Sequence, residues 1–425
     1  MDRTRFLVIG AGITGLAFAD RIATDDYLVV EAAEAIGGYC RTVRRDGFVW
    51  DYSGHFFHFR HPEIERELVS RMGSDAVVRV ARDSRIYWGD RLIDFPFQNN
   101  IHQLSQPEFI ECLCDLYFRE ETAPRNFQEM LYAGFGRAIA DKFLIPYNEK
   151  VYATDLSTLD VDAMGRFFPH ASVRDVIANF RHPRSAGYNI TFTYPRGGAI
   201  QYVEALASGV RRDRISIGEP VVRIDLLRKV AVTDRREIAF DYAVSSMPFS
   251  RLLAITGLPW DPRMYRWNKV LVFNIGFDRK GPAGIHWIYV PQRDVIFYRV
   301  GFYDNILGTD RMSLYVEIGY PQDAQLSDGE VERARRRVLE DLARCGIVDG
   351  HRPIAWHAVV LDPAYVHIAT ETIRDVQEKK RALEQYGVYS VGRYGSWTYC
   401  SIEDNIVEAR ALADGFNASG SEREA

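Results

Sequence analysis

Three glycines in the run Gly10-Ala11-Gly12-Ile13-Thr14-Gly15, and an acid, Glu31, placed 21 residues after the first of them, have the clearest chemical purpose in this chain. Glycines at this spacing, directly after an apolar stretch, let the backbone turn tightly and approach a pyrophosphate. The phosphate charge then meets the free N–H groups and the positive end of the helix that follows. Glu31 ends the next apolar stretch, where a carboxylate accepts the hydroxyls of a ribose. Gly10, Gly12, Gly15 and Glu31 together predict a dinucleotide site.

Beyond Glu31 come Gly37, Gly38, Arg41 and Thr42, then Asp46-Gly47-Phe48. This arrangement resembles the amine oxidase and mutase branch of flavoproteins. The resemblance implies FAD rather than a nicotinamide, with Gly38 and Arg41 along the pyrophosphate. In Asp51-Tyr52-Ser53-Gly54-His55, Gly54 permits close approach to a planar ring, placed as the isoalloxazine, and His55 can exchange a proton or hydrogen bond with it. His55, His58 and His61 are spaced like metal ligands, but the phenylalanines between them predict a buried segment and no metal.

Six separated motifs resemble the UDP-galactopyranose mutases: Ser53-Gly54-His55; Phe95 to Asn100; Pro146-Tyr147-Asn148 with Lys150-Val151; Gly165-Arg166; Trp287-Ile288-Tyr289 through Phe297-Tyr298-Arg299; and Gly392 to Trp397 with Tyr399. The resemblance implies an isomerase that interconverts the pyranose and furanose forms of a UDP-hexose, UDP-galactose first. Reduced FAD would be the active form, its N5 attacking the anomeric carbon with no net redox change. Phe97 and Gln98 would face the uracil, Asn148 and Tyr152 border the nucleotide, and Asn189 reach the ribose or phosphate. Arg166 and Arg299 would flank the diphosphate, while Trp287, Tyr289, Tyr365 and Tyr399 complete the substrate wall. Arg393, Gly395 and Ser396 would contact the cofactor, as would Asp404 or Asn405 at the start of a capped helix. Cys400-Ser401-Ile402-Glu403 departs from the family pattern, so a different nucleotide sugar stays open as the substrate. The other alternative is an amine oxidase-like oxidoreductase, whose apolar or amine substrate gains nothing from Arg166 and Arg299. An external reductant, NAD(P)H or a reductase, and a monomer or homodimer complete the expectation.

These residues need elements to hold them. Arg5 to Ile9 reads as a strand, Leu16 to Ile22 as a helix and Tyr27 to Val30 as the second strand. Helical periods follow at Pro62 to Met72 and Pro107 to Glu120, β-rich runs at Phe192 to Val244 and Ile285 to Val300, and a returning strand at Gly387 to Gly392 ahead of a helix from Asp404 through Ala413. The predicted class is α/β: a Rossmann-type FAD-binding domain with a β-sheet substrate lobe and an inserted helical lobe. Its boundaries are 1–60, 195–250 and 385–415 for the FAD-binding domain, 61–194 for the helical insertion, 251–384 for the substrate lobe and 416–425 for a disordered tail. The segment from Arg181 to Asn189, with Pro183 and Gly187, is a candidate lid.

The 425 residues are 47% apolar and 26% charged with a net charge of -5, which offers no positive field to nucleic acid or anionic membrane. The basic run Arg333, Arg335, Arg336, Arg337 sits with Glu332 and Glu340 and reads as a solvated helix face. Five cysteines form no disulfide framework, and no apolar segment is long enough to span a bilayer, so a cytoplasmic protein is expected.

Overall fold

The computed structural model describes residues 2–73, 75–120, 122–168, 172–181 and 190–421. Strand β1 (Asp2–Ile9) leads through the glycine turn into a helix, Ile13–Arg21, and back as β2 (Tyr27–Val30). A hairpin follows, β3 (Thr42–Arg45) and β4 (Phe48–Asp51), turned by Asp46 and Gly47 at φ 52° and 82°. Positive φ at both central positions matches the twist of the flanking strands. After helix Pro62–Met72 come β5 (Val77–Ala81), β6 (Ser84–Trp88) and β7 (Arg91–Asp94), and then helices Gln106–Tyr117, Phe127–Ile139 and Ile145–Tyr152. β8 (Thr191–Pro195), β9 (Ile215–Ser216), β10 (Val221–Asp225), β11 (Val230–Thr233) and β12 (Glu237–Ser245) form the middle of the chain. The last third holds β13 (Asn268–Phe277), β14 (Trp287–Tyr289), β15 (Arg299–Phe302), β16 (Ser313–Pro321), β17 (Pro353–Leu361) and β18 (Val388–Ser390).

The first sheet runs β10-β11-β12-β1-β2-β9, with β18 also on β12. Its parallel strands end in one row, because Ile9 pairs with both Ser245 and Val30, Val30 with Ser216, and Ser245 with Ser390. In a parallel sheet the carboxyl ends are where loops meet a ligand, and this register brings five such ends level. Helix Ile13–Arg21 is buried from Ile13 to Ala19, packed between the sheet and a final helix, Ile402–Ser421.

The second sheet runs β17-β13-β16-β15-β14-β6-β7 and is antiparallel except where β14 lies parallel to β6. Helix Asp328–Arg344 covers it with Ala334, Val338 and Leu342 against Leu271, Phe273 and Ile275. The arginines on that helix pair with its own acids, Arg333 with Glu330, Arg335 with Glu332 and Arg337 with Asp341, which makes the run a solvated face.

Within the segment 61–194, expected as a mainly helical insertion, β6 and β7 complete the second sheet and β5 pairs with β8. One expectation is corrected. Residues 416–421 are the end of a helix rather than a disordered tail: Phe416 packs on Phe6 and Tyr242, and the Asn417 side chain accepts from the Ala23 N–H at 2.8 Å. Small polar composition misled here because the helix is held by docking on one side, not by its own propensity. Among the described residues no helix is long and apolar enough to cross a membrane.

Candidate active site

A cavity of about 630 Å³ runs from the row of strand ends into the space between the two sheets. At its outer end Gly10, Gly12, Glu31, Gly38 and Ser246 line it, each just beyond a strand or on the adjoining turn. Gly10 has φ 106°, and a Cβ there would lie 2.4 Å from Ser246 Oγ. Gly12 and Gly38 lie side by side, a Cβ on Gly12 falling 3.9 Å from Gly38 Cα in ordinary contact, and Gly38 itself has φ 54°. Gly15 does not face the cavity; it lets the helix lie on the Gly10 carbonyl. The Glu31 carboxylate accepts from the Ala11 and Ala33 N–H groups at 2.7 and 2.9 Å and is thereby aimed at the cavity edge. Two helix N-termini converge on the same space, joined by Thr14 Oγ1 donating to Asn405 Oδ1 at 3.0 Å. The Asn405 oxygen also accepts from the Arg393 N–H at 2.7 Å.

The inner end holds Ser53, Gly54, His55, Tyr298, Arg299, Arg393, Tyr365 and Tyr399. A Cβ on Gly54 would meet the Tyr315 ring at 2.6 Å, so no other residue fits between that ring and the cavity. His55 Nδ1 is buried and has no hydrogen-bond partner among the described residues. Burial lowers His55 to about 4, opposed by Glu317 and assisted by Arg393 and Arg299, so the imidazole is neutral near pH 7. Arg299 forms a two-bond pair with Glu317, Nε and Nη2 donating at 2.7 and 2.8 Å, and Glu317 is only 1% exposed. Burial pushes the Glu317 carboxyl up, but Arg299 and the hydrogen bonds from Arg299 and Ser53 outweigh it and hold the group below the usual range. The Arg393 guanidinium lies 4.5 Å from the Tyr399 ring and 5.4 Å from that of Tyr365, and those rings stack on each other at 5.9 Å. Arg393 donates to the Cys400 carbonyl at 3.1 Å. Burial raises the Cys400 thiol to about 11, which leaves it protonated and a poor nucleophile.

Of the residues expected here, Gly10, Gly12, Glu31, Gly38, Gly54, His55, Arg299, Tyr365, Arg393, Tyr399 and Asn405 line the cavity. Others lie elsewhere. Arg41 is turned away, donating to the carbonyls of Ala35 and Ile36. Arg166 is not part of the lining; it clasps both Asp404 oxygens at 2.6 Å outside it. Asp404 is in turn the third residue of the last helix, which Ser401 caps through reciprocal bonds, so Asp404 is not the cap. Gly395 is buried off the cavity, and Ser396 donates to Glu408 at 2.7 Å. Phe97 is fully buried between Trp88 and Phe143, and Gln98 beside it is equally buried. Asn148 spends its amide on the Leu144 carbonyl one turn back. Tyr152 and Tyr289 stand behind Tyr365 and Tyr147 in an aromatic wall, and Trp287 stacks on Phe56. Asn189 and, of the candidate lid from Arg181 to Asn189, all but Arg181 fall outside the described residues. Sequence reasoning missed Ser246, Met247, Glu219 and Val221 at the outer end, and gave no role to Tyr298, named within a motif, at the inner end. The first four follow the ends of β12 and β9, a position that topology alone reveals.

A strand-turn-helix cradle carrying Gly10, Gly12 and Gly38, which opens on a pocket lined by His55, Arg299 and Arg393, has the form of a dinucleotide-binding enzyme site. The chain belongs to the flavin containing amine oxidoreductases, matched over residues 13–367, and its cofactor is FAD. It is 25% identical over 260 residues to the zeta-carotene-forming phytoene desaturase of Myxococcus xanthus, covering 52% of this chain and 48% of that one. To protoporphyrinogen oxidase 1 of spinach (Spinacia oleracea) chloroplasts it is 22% identical over 174 residues, 37% of this chain and 30% of that one. The chain thus spans between about a third and a half of the length of these curated relatives. A crystal structure of reduced UDP-galactopyranose mutase shares the fold with a TM-score of 0.86 at 22% identity, over 97% of this chain and 93% of that one.

Proposed function

We propose that the protein is a flavin-dependent mutase that interconverts the pyranose and furanose forms of a UDP-hexose, UDP-galactose first. The observation that carries this reading is the inner wall of the cavity, where Arg299 and Arg393 stand among the hydroxyls of Tyr298, Tyr365 and Tyr399. An apolar or amine substrate gains nothing from two buried cations, whereas a nucleotide diphosphate matches them in charge and in hydrogen bonding. The near full-length likeness in fold to reduced UDP-galactopyranose mutase supports the same reading.

In this reading Gly10, Gly12, Gly38, Glu31 and the N–H groups of the two converging helices hold FAD. When bound and reduced, the flavin supplies a nucleophilic nitrogen for the anomeric carbon. Arg299 holds the diphosphate beside the ring throughout, so that the leaving group stays within reach for recapture. Tyr365 and Tyr399 donate hydroxyls to the same oxygens; burial raises Tyr365 above the ordinary phenol value and keeps it a donor. Neutral His55 hydrogen-bonds at the ring edge. An external reductant must supply the electrons that bring the flavin to its active state.

FAD-loaded, dithionite-reduced R299A is expected to bind UDP about a hundredfold more weakly than the wild type by calorimetry. Unchanged affinity would place the nucleotide elsewhere. The second reading, an oxidoreductase like the desaturase and the protoporphyrinogen oxidase, is favoured by the family match. Stoichiometric hydrogen peroxide on addition of an apolar or amine substrate would support it.

A further inference from the structure

Glu317 is the one acid in β16, Ser313–Pro321, and its side chain points from a 1% exposed position toward the back of the site. It sits directly opposite Arg299 in the β15–β16 register, with the Tyr298 N–H donating to its backbone carbonyl at 3.0 Å. Its carboxylate takes the Nε and Nη2 edge of Arg299 on one side and the Ser53 hydroxyl on the other. Ser53 opens the Ser53-Gly54-His55 segment that lines the inner cavity, and its carbonyl accepts from the His55 N–H at 2.8 Å and from the Tyr303 hydroxyl at 3.3 Å. One buried carboxylate therefore fixes two things at once: the direction of a guanidinium fork and the position of the backbone that meets the ring.

Resting on the assignment of a nucleotide diphosphate to Arg299, we infer that Glu317 is a positioning residue that sets the reach of Arg299 from the flavin-facing segment and weakens its pull on the anion. With Nε and one Nη2 hydrogen held by the carboxylate, only the remaining N–H groups of Arg299 face the cavity. The guanidinium cannot swing after a ligand without leaving Glu317 buried and unpaired, which is costly. Its charge is also largely cancelled by its partner, so the diphosphate is gripped firmly enough to stay in place and loosely enough to change its bonding partner.

The substitution E317Q separates the two roles, because it keeps the shape and removes the charge. In FAD-loaded, reduced E317Q the uncancelled Arg299 is expected to bind UDP about tenfold more tightly. Turnover of a UDP-hexose is expected to fall about a hundredfold as the fork loses its fixed direction. A merely structural carboxylate would weaken or leave unchanged the binding of UDP, and either result in folded, FAD-loaded E317Q overturns the inference. S53A leaves the Arg299 pair intact and cuts only the link to the flavin-facing segment: UDP affinity should stay within about twofold while turnover falls about tenfold. Unchanged turnover in S53A overturns the link, and S53A decides the matter should E317Q fail to fold. Inorganic pyrophosphate is titrated beside UDP. If wild type binds either anion but turns over no UDP-hexose, the mutase assignment fails while the binding comparison still judges Glu317; if it binds neither, the inference falls.

Discussion

A Cβ on Gly15 would lie 1.9 Å from the Gly10 carbonyl oxygen and 3.2 Å from a Val8 methyl, so any side chain there must lift the helix from the strand. G15A is accordingly expected to lose most bound FAD and about 2 kcal/mol of stability, read from flavin absorbance after gel filtration and from urea unfolding. Full flavin content with an unmoved midpoint would contradict the close helix-strand contact. At this scale the dinucleotide end was readable from sequence because backbone approach imposes glycine at fixed local spacing, and because Glu31 ends an apolar strand. Glu317 was not read, although the signal exists: a lone acid in Ser313-Leu314-Tyr315-Val316-Glu317-Ile318 must find a partner if the strand is buried. Phe97, Gln98, Asn148 and Arg166 came from resemblance alone, and side-chain direction is what resemblance between motifs does not carry; each points into core packing or toward another element.

The hairpin of β14 and β15 carries Tyr289, Tyr298 and Arg299, and one lysine ties together the two sides of its far end, which Tyr87 and Asp341 also hold. Lys150, on helix Ile145–Tyr152, donates to the carbonyls of Val290, Gln292 and Phe297. K150M would leave three part-buried carbonyls without their donor, and a loss of about 2 kcal/mol is expected in urea unfolding. A change below about 0.5 kcal/mol would show that the clamp is dispensable. Helix Pro62–Met72 and strand Tyr27–Val30 have the ends that their periodicity predicts, since proline, glycine and apolar spacing are local. The second sheet could not be assembled in the same way. β14 pairs with β6 across two hundred residues of chain, and no local pattern announces such a partner.

Across the whole molecule the two sheets divide the chemistry. The first brings five strand ends level at the outer end of the cavity; the second presents Arg299 from β15, backed by Glu317 from β16, at its inner end. Arg299 and Arg393, with the hydroxyls of Tyr298, Tyr365 and Tyr399 beside them, are the part of the cavity on which the proposed mutase reading rests. The most direct test is to incubate the FAD-loaded protein, reduced with dithionite and kept free of oxygen, with UDP-galactofuranose and follow the nucleotides by chromatography. Many turnovers to UDP-galactopyranose per flavin, with the flavin still reduced at the end, are predicted. No conversion of this or any other UDP-hexose by protein that retains reduced FAD would contradict the proposal.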